Sequence, residues 1–275
     1  MINETPVYGV DFSGAKTDKN TWIASGTYTG QNINLDSVNP ITRRDLISFL
    51  KIVPSHSVVS LDFPFSLPID FLKSWAPQAI TMQDVWDVTA HKSLKDFILA
   101  RDTFVEKHGE VKRKGDSHFP ESYSCLHKSN PNMLPMTYYG MQLLAELHET
   151  GFNTPPLTAS TTQCPTLLEA MPGAALRAFD LPYKGYKNGS QAMFLRKLIL
   201  EKLMMRFNLI ISYDILTSEI IISNHDCLDS IIAMIVSVLW AESPELFLHP
   251  SNNDQTEVAR AQLEGWLYAP KRINK

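Results

Sequence analysis

Cysteine is scarce in this chain of 275 residues, and the few cysteines present are not paired. Cys125, Cys164 and Cys227 lie far apart, and no Cys-x-x-Cys sequence occurs. The odd count and the wide spacing argue against a cysteine zinc site and favour a reducing, cytoplasmic compartment.

Three widespread catalytic motifs are absent as well. The chain contains no Gly-x-Ser-x-Gly, His-Glu-x-x-His or Gly-x-Gly-x-x-Gly sequence. These absences weigh against the commonest serine hydrolases, zinc metalloproteases and dinucleotide-binding enzymes. The turn Ser13-Gly14-Ala15-Lys16 lacks the glycine spacing of a Walker A motif, although its amides and Lys16 could still cradle a phosphate.

The chain also has little net charge and no long apolar run. Its formal net charge is −4, which gives no global basic surface of the kind that dedicated nucleic-acid binders show. The most apolar stretch, residues 228–240, is interrupted by Asp229 and is shorter than the roughly 20 residues of a spanning helix. Without a basic segment and an apolar segment at its start, the chain is expected to carry no signal peptide and to enter no membrane.

What the sequence does contain is a set of acidic motifs in apolar surroundings. Asp11, Asp62 and Glu169 each end an apolar, strand-like run, in Gly-Val-Asp-Phe-Ser-Gly, Ser-Leu-Asp-Phe-Pro and Leu-Leu-Glu-Ala-Met-Pro. Asp226 and Asp229 open a long apolar helix. A carboxylate at the edge of a hydrophobic core is costly unless its charge is compensated, and a divalent metal is a common compensator. The pattern therefore favours metal-assisted chemistry.

The hydrophobic pattern predicts an α/β fold, a mixed sheet flanked by helices, within a single domain over residues 1–275. The block at about 70–160 is predicted to be an insertion of helices and a long polar loop. The predicted strands are 7–11, 21–29, 32–38, 57–63 and 165–171, with 209–213 as a small strand or a helix end. The predicted helices are 42–52, capped by Thr42, and 84–107, 137–149, 174–179, 191–207 and 226–242.

Each acidic residue also has a plainer interpretation. Asp11 before Ser-Gly suits a tight turn, and Asp226 suits a helix N-terminus. Glu169 could pair with a basic residue such as Arg177 or Lys184. However, Asp226 and Asp229 are three residues apart on one helix and can converge on one ion. Ligands also gather at the carboxyl ends of parallel strands, so the combination is more specific than any member.

A short basic cluster lies in the predicted insertion. Lys112, Arg113 and Lys114 follow one another in the polar loop. They are either a solvated loop surface or, together with Lys16, contacts to substrate phosphates.

Taken in order, the motifs resemble the DUF429 family over nearly the whole chain. The resemblance rests on five sequences: Gly-Val-Asp11-Phe-Ser-Gly-Ala, Leu-Asp62-Phe-Pro-Phe-Ser-Leu-Pro, Leu-Glu169-Ala-Met-Pro-Gly-Ala, His225-Asp226-Cys-Leu-Asp229-Ser-Ile-Ile-Ala and Glu264-Gly-Trp-Leu-Tyr-Ala-Pro. Members of that family are predicted nucleases with a ribonuclease H-like fold. The resemblance implies a five-stranded mixed sheet whose first three strands are antiparallel, with helices on both faces.

By the pattern of the wider superfamily, which includes RuvC-type resolvases, Asp11, Asp62 and Asp229 carry over as catalytic metal ligands, with Asp226 as the fourth. The strand-four acid is Asp62, where resolvase-like enzymes more often carry Glu. Glu169 belongs to the family's own signature as a further candidate. These residues would hold two Mg²⁺ or Mn²⁺ ions in a hydrolase that cleaves nucleic acid, DNA or RNA.

Two other functions stay open at this point. The actin and sugar-kinase superfamily shares this core and begins with a similar Asp-containing turn, which would suit an ATP-dependent phosphotransferase or ATPase. Against that, the chain has a single such core and no clear second phosphate loop. A non-catalytic scaffold that binds a protein or a small ligand would fit the lack of a global basic surface.

Overall fold

A mixed β-sheet of six strands forms the centre of the protein. The computed structural model describes residues 4–159, 161, 163–251 and 253–272, so the predicted domain limits at 1 and 275, and the insertion's end at 160, lie outside the described residues. The strands are β1 (Thr5–Asp11), β2 (Trp22–Tyr28), β3 (Ile33–Pro40), β4 (Val58–Asp62), β5 (Thr166–Glu169) and β6 (Leu209–Ile211). Their order across the sheet is β5-β4-β1-β2-β3-β6.

The strand directions confirm the α/β prediction and its antiparallel start. β1 pairs antiparallel with β2, and β2 with β3, while β4 lies parallel to β1 and β5 lies parallel to β4. The predicted count of five strands is wrong, because β6 adds a sixth strand parallel to β3. β6 has only three residues, too few for an alternating pattern to distinguish it from the end of the helix before it.

Helices connect and cover the strands. Those before β5 are α1 (Arg43–Leu50), α2 (Ile69–Trp75), α3 (Met82–Ala90), α4 (Leu94–His108) and α5 (Met133–His148). The later ones are α6 (Pro172–Ala178), α7 (Ala192–Phe207), α8 (Tyr213–Thr217), α9 (Ile220–Ser223), α10 (His225–Glu242) and α11 (Gln255–Glu264). No helix within the described ranges combines the length and apolar character needed to cross a bilayer.

Local capping decides where several helices begin. The Thr42 side chain accepts from Asp45 N, as predicted for the start of α1. The single helix predicted over 84–107 is instead two, because Ser93 and Asp96 form a capping box that starts α4 after α3 has ended. The predicted insertion therefore supplies four helices, α2 to α5, before the chain returns to the sheet at β5.

The two faces of the sheet support two separate hydrophobic cores. On β1, Val7 packs with residues of α7 and α10, whereas Val10 faces the opposite core with residues of α1 and α5. On β4, Val58 packs in the same core as Val7, and Leu61 packs in the same core as Val10. Because side chains alternate along a strand, Gly9 and Asp11 share the face of Val7, and Ser60 and Asp62 share the face of Val58.

Gly9 lets α10 lie directly against the central strand. A Cβ atom at residue 9 would lie 2.0 Å from Met234 N, 2.2 Å from Ser230 O and 2.6 Å from Ala233 C, all in the α10 backbone. Nearby, the Ser237 hydroxyl donates to Tyr8 O at 2.7 Å and bonds Ser60 Oγ at 2.8 Å. At Gly9, therefore, the backbone of α10 contacts β1 directly.

Replacing Gly9 with alanine is expected to lower the free energy of unfolding by about 1–3 kcal/mol, because the helix backbone must move to admit a methyl group. Urea denaturation of both proteins would measure the change. Gly173→Ala is the matched control, since a Cβ at that helical position would meet no atom within 4 Å. Equal stability losses in the two variants would contradict the close packing of α10 on β1.

Candidate active site

Asp11 and Asp62 stand side by side at the carboxyl ends of the two central parallel strands. They are register partners across the β1–β4 pair, as are Gly9 and Ser60 two residues earlier. Neighbouring strands lie about 4.8 Å apart, so the two carboxyl groups are close. The two carboxyl groups are close enough for each to influence the pKa of the other. Both face α10.

Helix α10 adds the second pair of aspartates. Asp229 is completely buried, and Asp226 lies one turn earlier, near the helix start. Asn224 is the N-cap, and its Oδ1 accepts from Asp226 N at 2.8 Å and from Cys227 N at 3.2 Å. Since Asn224 supplies the cap, the Asp226 carboxylate is not needed for capping; its Oδ1 lies 2.6 Å from His225 Nδ1.

Two residues that the sequence did not single out complete the site. Tyr186 donates its hydroxyl to Asp229 Oδ1 at 2.8 Å, and Lys187 Nζ lies 2.6 Å from Asp229 Oδ2. The lysine contact is an ion pair without the angles of a hydrogen bond. Both residues belong to the loop between α6 and α7, far from the acidic motifs in sequence.

The cluster carries more negative charge than Lys187 offsets. Burial, followed by repulsion from Asp229, raises the pKa of Asp11 well above its usual value. Burial also raises the pKa of Asp62 to about 7, against the attraction of Lys187. Burial opposes the charge of Lys187, but Asp229 and the neighbouring acids hold its pKa well above the usual value. The site would therefore gain from further positive charge.

The oxygen donors of this cluster fit Mg²⁺ or Mn²⁺ in chemistry, since these ions prefer carboxylates. In the described part of the chain, however, no three His, Cys, Asp or Glu side chains are already arranged to hold a metal ion. Both oxygens of Asp229 already contact other side chains, those of Tyr186 and Lys187. Asp11, Asp62 and Asp226 are left as the groups that would hold a metal.

Glu169 does not belong to the aspartate cluster. It pairs in register with Leu61, so it faces the opposite side of the sheet from Asp62. There it accepts from Phe65 N at 2.8 Å and from Arg113 Nη1 at 2.8 Å, and Arg113 Nη2 contacts its other oxygen. Arg113 is thus its partner, in place of Arg177 or Lys184.

Arg113 has no free charge to offer a substrate phosphate. The residue is 2% exposed, and its Nε and Nη2 donate to Asp116 at 2.9 and 2.7 Å in addition to the contacts with Glu169. Its neighbours Lys112 and Lys114 are exposed, and Lys114 Nζ lies 3.9 Å from Glu257 Oε1. The basic cluster therefore divides into one buried structural arginine and two surface lysines.

The turn before Lys16 already uses its amide groups. Ser13 N donates to Thr21 Oγ1 and Ala15 N donates to Ser13 Oγ, both at 3.1 Å. Arg43 braces the same turn by donating to Ser13 O and Ala15 O. Lys16 itself is exposed. A phosphate cradle built from these amides would first have to break hydrogen bonds.

Two cavities lie near this end of the sheet. One of about 80 Å³ adjoins Asp62 and is lined in part by Pro64, Tyr123 and Met136. A larger one of about 400 Å³ lies beside α6 and residues 269–272, with Arg177 in its wall. None of the four clustered aspartates lines this larger cavity. We assign the chemistry to the aspartates, because titratable groups with perturbed pKa values are a stronger indication than cavity size.

Comparisons of the chain with protein-family models, with curated proteins and with solved structures found no match.

Proposed function

We propose that this protein is a divalent-metal-dependent phosphodiesterase that cleaves nucleic acid, with a ribonuclease H-like core resembling the DUF429 family. The observation that carries the proposal is the meeting of Asp11, Asp62 and Asp229. Two of these residues end adjacent parallel strands and the third lies on the helix packed against them. The charges of Asp229 and Asp62 help to raise the pKa of Asp11, which supports the proximity of the three residues.

The order of the strands supports the same proposal. From β3 to β5 the order is β3-β2-β1-β4-β5, with the first three strands antiparallel and the last two parallel to β1. The antiparallel first three strands agree with what the resemblance implies, although β6 makes the sheet six-stranded instead of five-stranded.

Different residues of the chain would have different roles in the proposed reaction. A bound divalent ion would supply Lewis acidity and an activated water. Asp11, Asp62 and Asp226 would bind it, while Tyr186 orients Asp229 through the hydrogen bond to Oδ1. The Lys187 side chain is 46% exposed, so its ammonium can also meet an anionic substrate from the solvent side.

A cleavage assay tests this function. The purified chain is incubated with single- and double-stranded DNA and RNA, with Mg²⁺, with Mn²⁺ or with a chelator. We expect cleavage of at least one substrate with a divalent ion and none with the chelator. Undiminished cleavage in chelator would contradict a metal-dependent mechanism, and no cleavage of any substrate would contradict a nuclease.

One observation favours a second candidate, the non-catalytic scaffold. Lys187 already pairs with Asp229, so part of the acidic charge is balanced without any metal. If the scaffold is the correct function, neither cleavage nor Mn²⁺ binding will be seen. No observation favours the ATP-dependent alternative in the same way, because two amides of the turn, those of Ser13 and Ala15, are already engaged.

A further inference from the structure

Asp229 is fully committed to protein partners. Its Oδ1 accepts the Tyr186 hydroxyl at 2.8 Å, its Oδ2 faces Lys187 Nζ at 2.6 Å, and the residue is 0% exposed. To complete the shell of a metal ion, Asp229 must offer it at least one oxygen. Here an oxygen would have to be released either from the hydrogen bond with Tyr186 or from the ion pair with Lys187.

Hydrogen bonds from Arg196 anchor the backbone of the loop that carries Lys187. Arg196, which is 5% exposed on α7, donates to Tyr186 O at 2.6 Å and to Lys187 O at 3.4 Å. The same guanidinium donates to Ile222 O just before α10. The backbone of the loop that carries Lys187 is thus tied to the segment that leads into the aspartate helix.

A divalent ion at the position of the ammonium would meet two obstacles. The ion binds carboxylate oxygens at about 2.1 Å, which is the space that Lys187 Nζ fills beside Asp229 Oδ2. If both cations stayed, they would repel each other strongly in this poorly hydrated setting. On the β1–β4 side, Asp11 and Asp62 are adjacent register partners, and no ion pair of the described residues engages either carboxylate as Lys187 engages Asp229.

We propose that the site takes one divalent cation rather than two, and that the Lys187 ammonium occupies the place of the second. The single ion would be held by Asp11 and Asp62, with Asp226 at the edge. Lys187 supplies a fixed positive charge next to Asp229. This inference rests on the proposed metal-dependent function and corrects the two-metal arrangement expected from the sequence.

Mn²⁺ binding to the full chain tests the inference without any activity assay. Isothermal titration and the electron paramagnetic resonance of free Mn²⁺ would both give the number of bound ions. We expect one ion per wild-type chain and two for Lys187→Gln, which keeps a hydrogen-bond donor near Asp229 but removes the charge. Lys184→Gln is the matched control, an exposed lysine of the same loop, and should bind one.

Each other outcome has a definite meaning. Two ions in the wild type, or one ion in Lys187→Gln with unchanged affinity, would overturn the inference while leaving metal-dependent chemistry standing. No Mn²⁺ binding by the wild type would overturn the inference and the proposed function together. If Lys187→Gln fails to fold, Lys187→Arg decides: one ion in this variant and in the wild type supports the inference, and two in either overturns it.

Discussion

Asp11→Asn is expected to reduce metal-dependent cleavage by about three orders of magnitude, which corresponds to roughly 4 kcal/mol of transition-state stabilisation. The charges of Asp229, Asp62 and Asp226 all help to raise the pKa of Asp11. The amide keeps the shape of the side chain but loses the charge and one of the two acceptor oxygens. A single-turnover cleavage assay at saturating Mn²⁺ would measure the loss.

The same substitution should spare the fold. Since burial and repulsion raise the pKa of Asp11, its charged form is unfavourable in the folded state without metal. A neutral asparagine removes that repulsion, so the melting temperature without divalent ions should be equal or higher. Asp87→Asn, at an exposed position on α3, is the control and should leave both properties unchanged. Full cleavage activity in Asp11→Asn would contradict the site.

Arg113→Met is expected to lower the free energy of unfolding by about 3–5 kcal/mol. The guanidinium is the shared partner of Asp116 and Glu169, which are both 2% exposed. Its removal leaves two buried carboxylates without their cation, and the methionine cannot donate a hydrogen bond to either. Because domains are stable by only about 5–15 kcal/mol, this is a large fraction of the total. Guanidinium chloride denaturation would measure it.

Lys112→Met is the control for that experiment. Lys112 is exposed and adjacent in sequence, so its loss should change stability by less than about 0.5 kcal/mol. Comparing the two variants also tests the role of the basic cluster. Any loss of nucleic-acid affinity is expected in Lys112→Met, because Lys112 is the residue at the surface. A stable Arg113→Met protein with weakened nucleic-acid binding would show that the arginine serves the substrate after all.

Asp11 and Asp62, at the ends of β1 and β4, could be predicted from the sequence because their signal is local. An apolar run that ends in Asp and is followed by Ser-Gly or Phe-Pro marks the carboxyl end of a buried strand, and both β1 and β4 end at these residues. The i, i+3 spacing likewise placed Asp226 and Asp229 on one helix.

The partners of those acids could not be predicted, because they depend on contacts between distant segments. Lys187 and Tyr186 sit in a polar loop with no periodicity, and their contact with Asp229 exists only after the chain has folded. Glu169 ends an apolar strand just as Asp62 does, yet register places it on the other face with Arg113. Strand pairing, which local sequence does not encode, separates these two acids.

The contact between Gly9 and α10 has a consequence for how the chain is made. β1 is a central strand and is synthesised before the helix that covers it, which begins only at His225. Until α10 is made, the face of the sheet that it covers stays exposed to solvent. Domains of this size commonly pass through partly formed intermediates with exposed apolar surface. We therefore expect the nascent chain to rely on chaperones until α10 has left the ribosome.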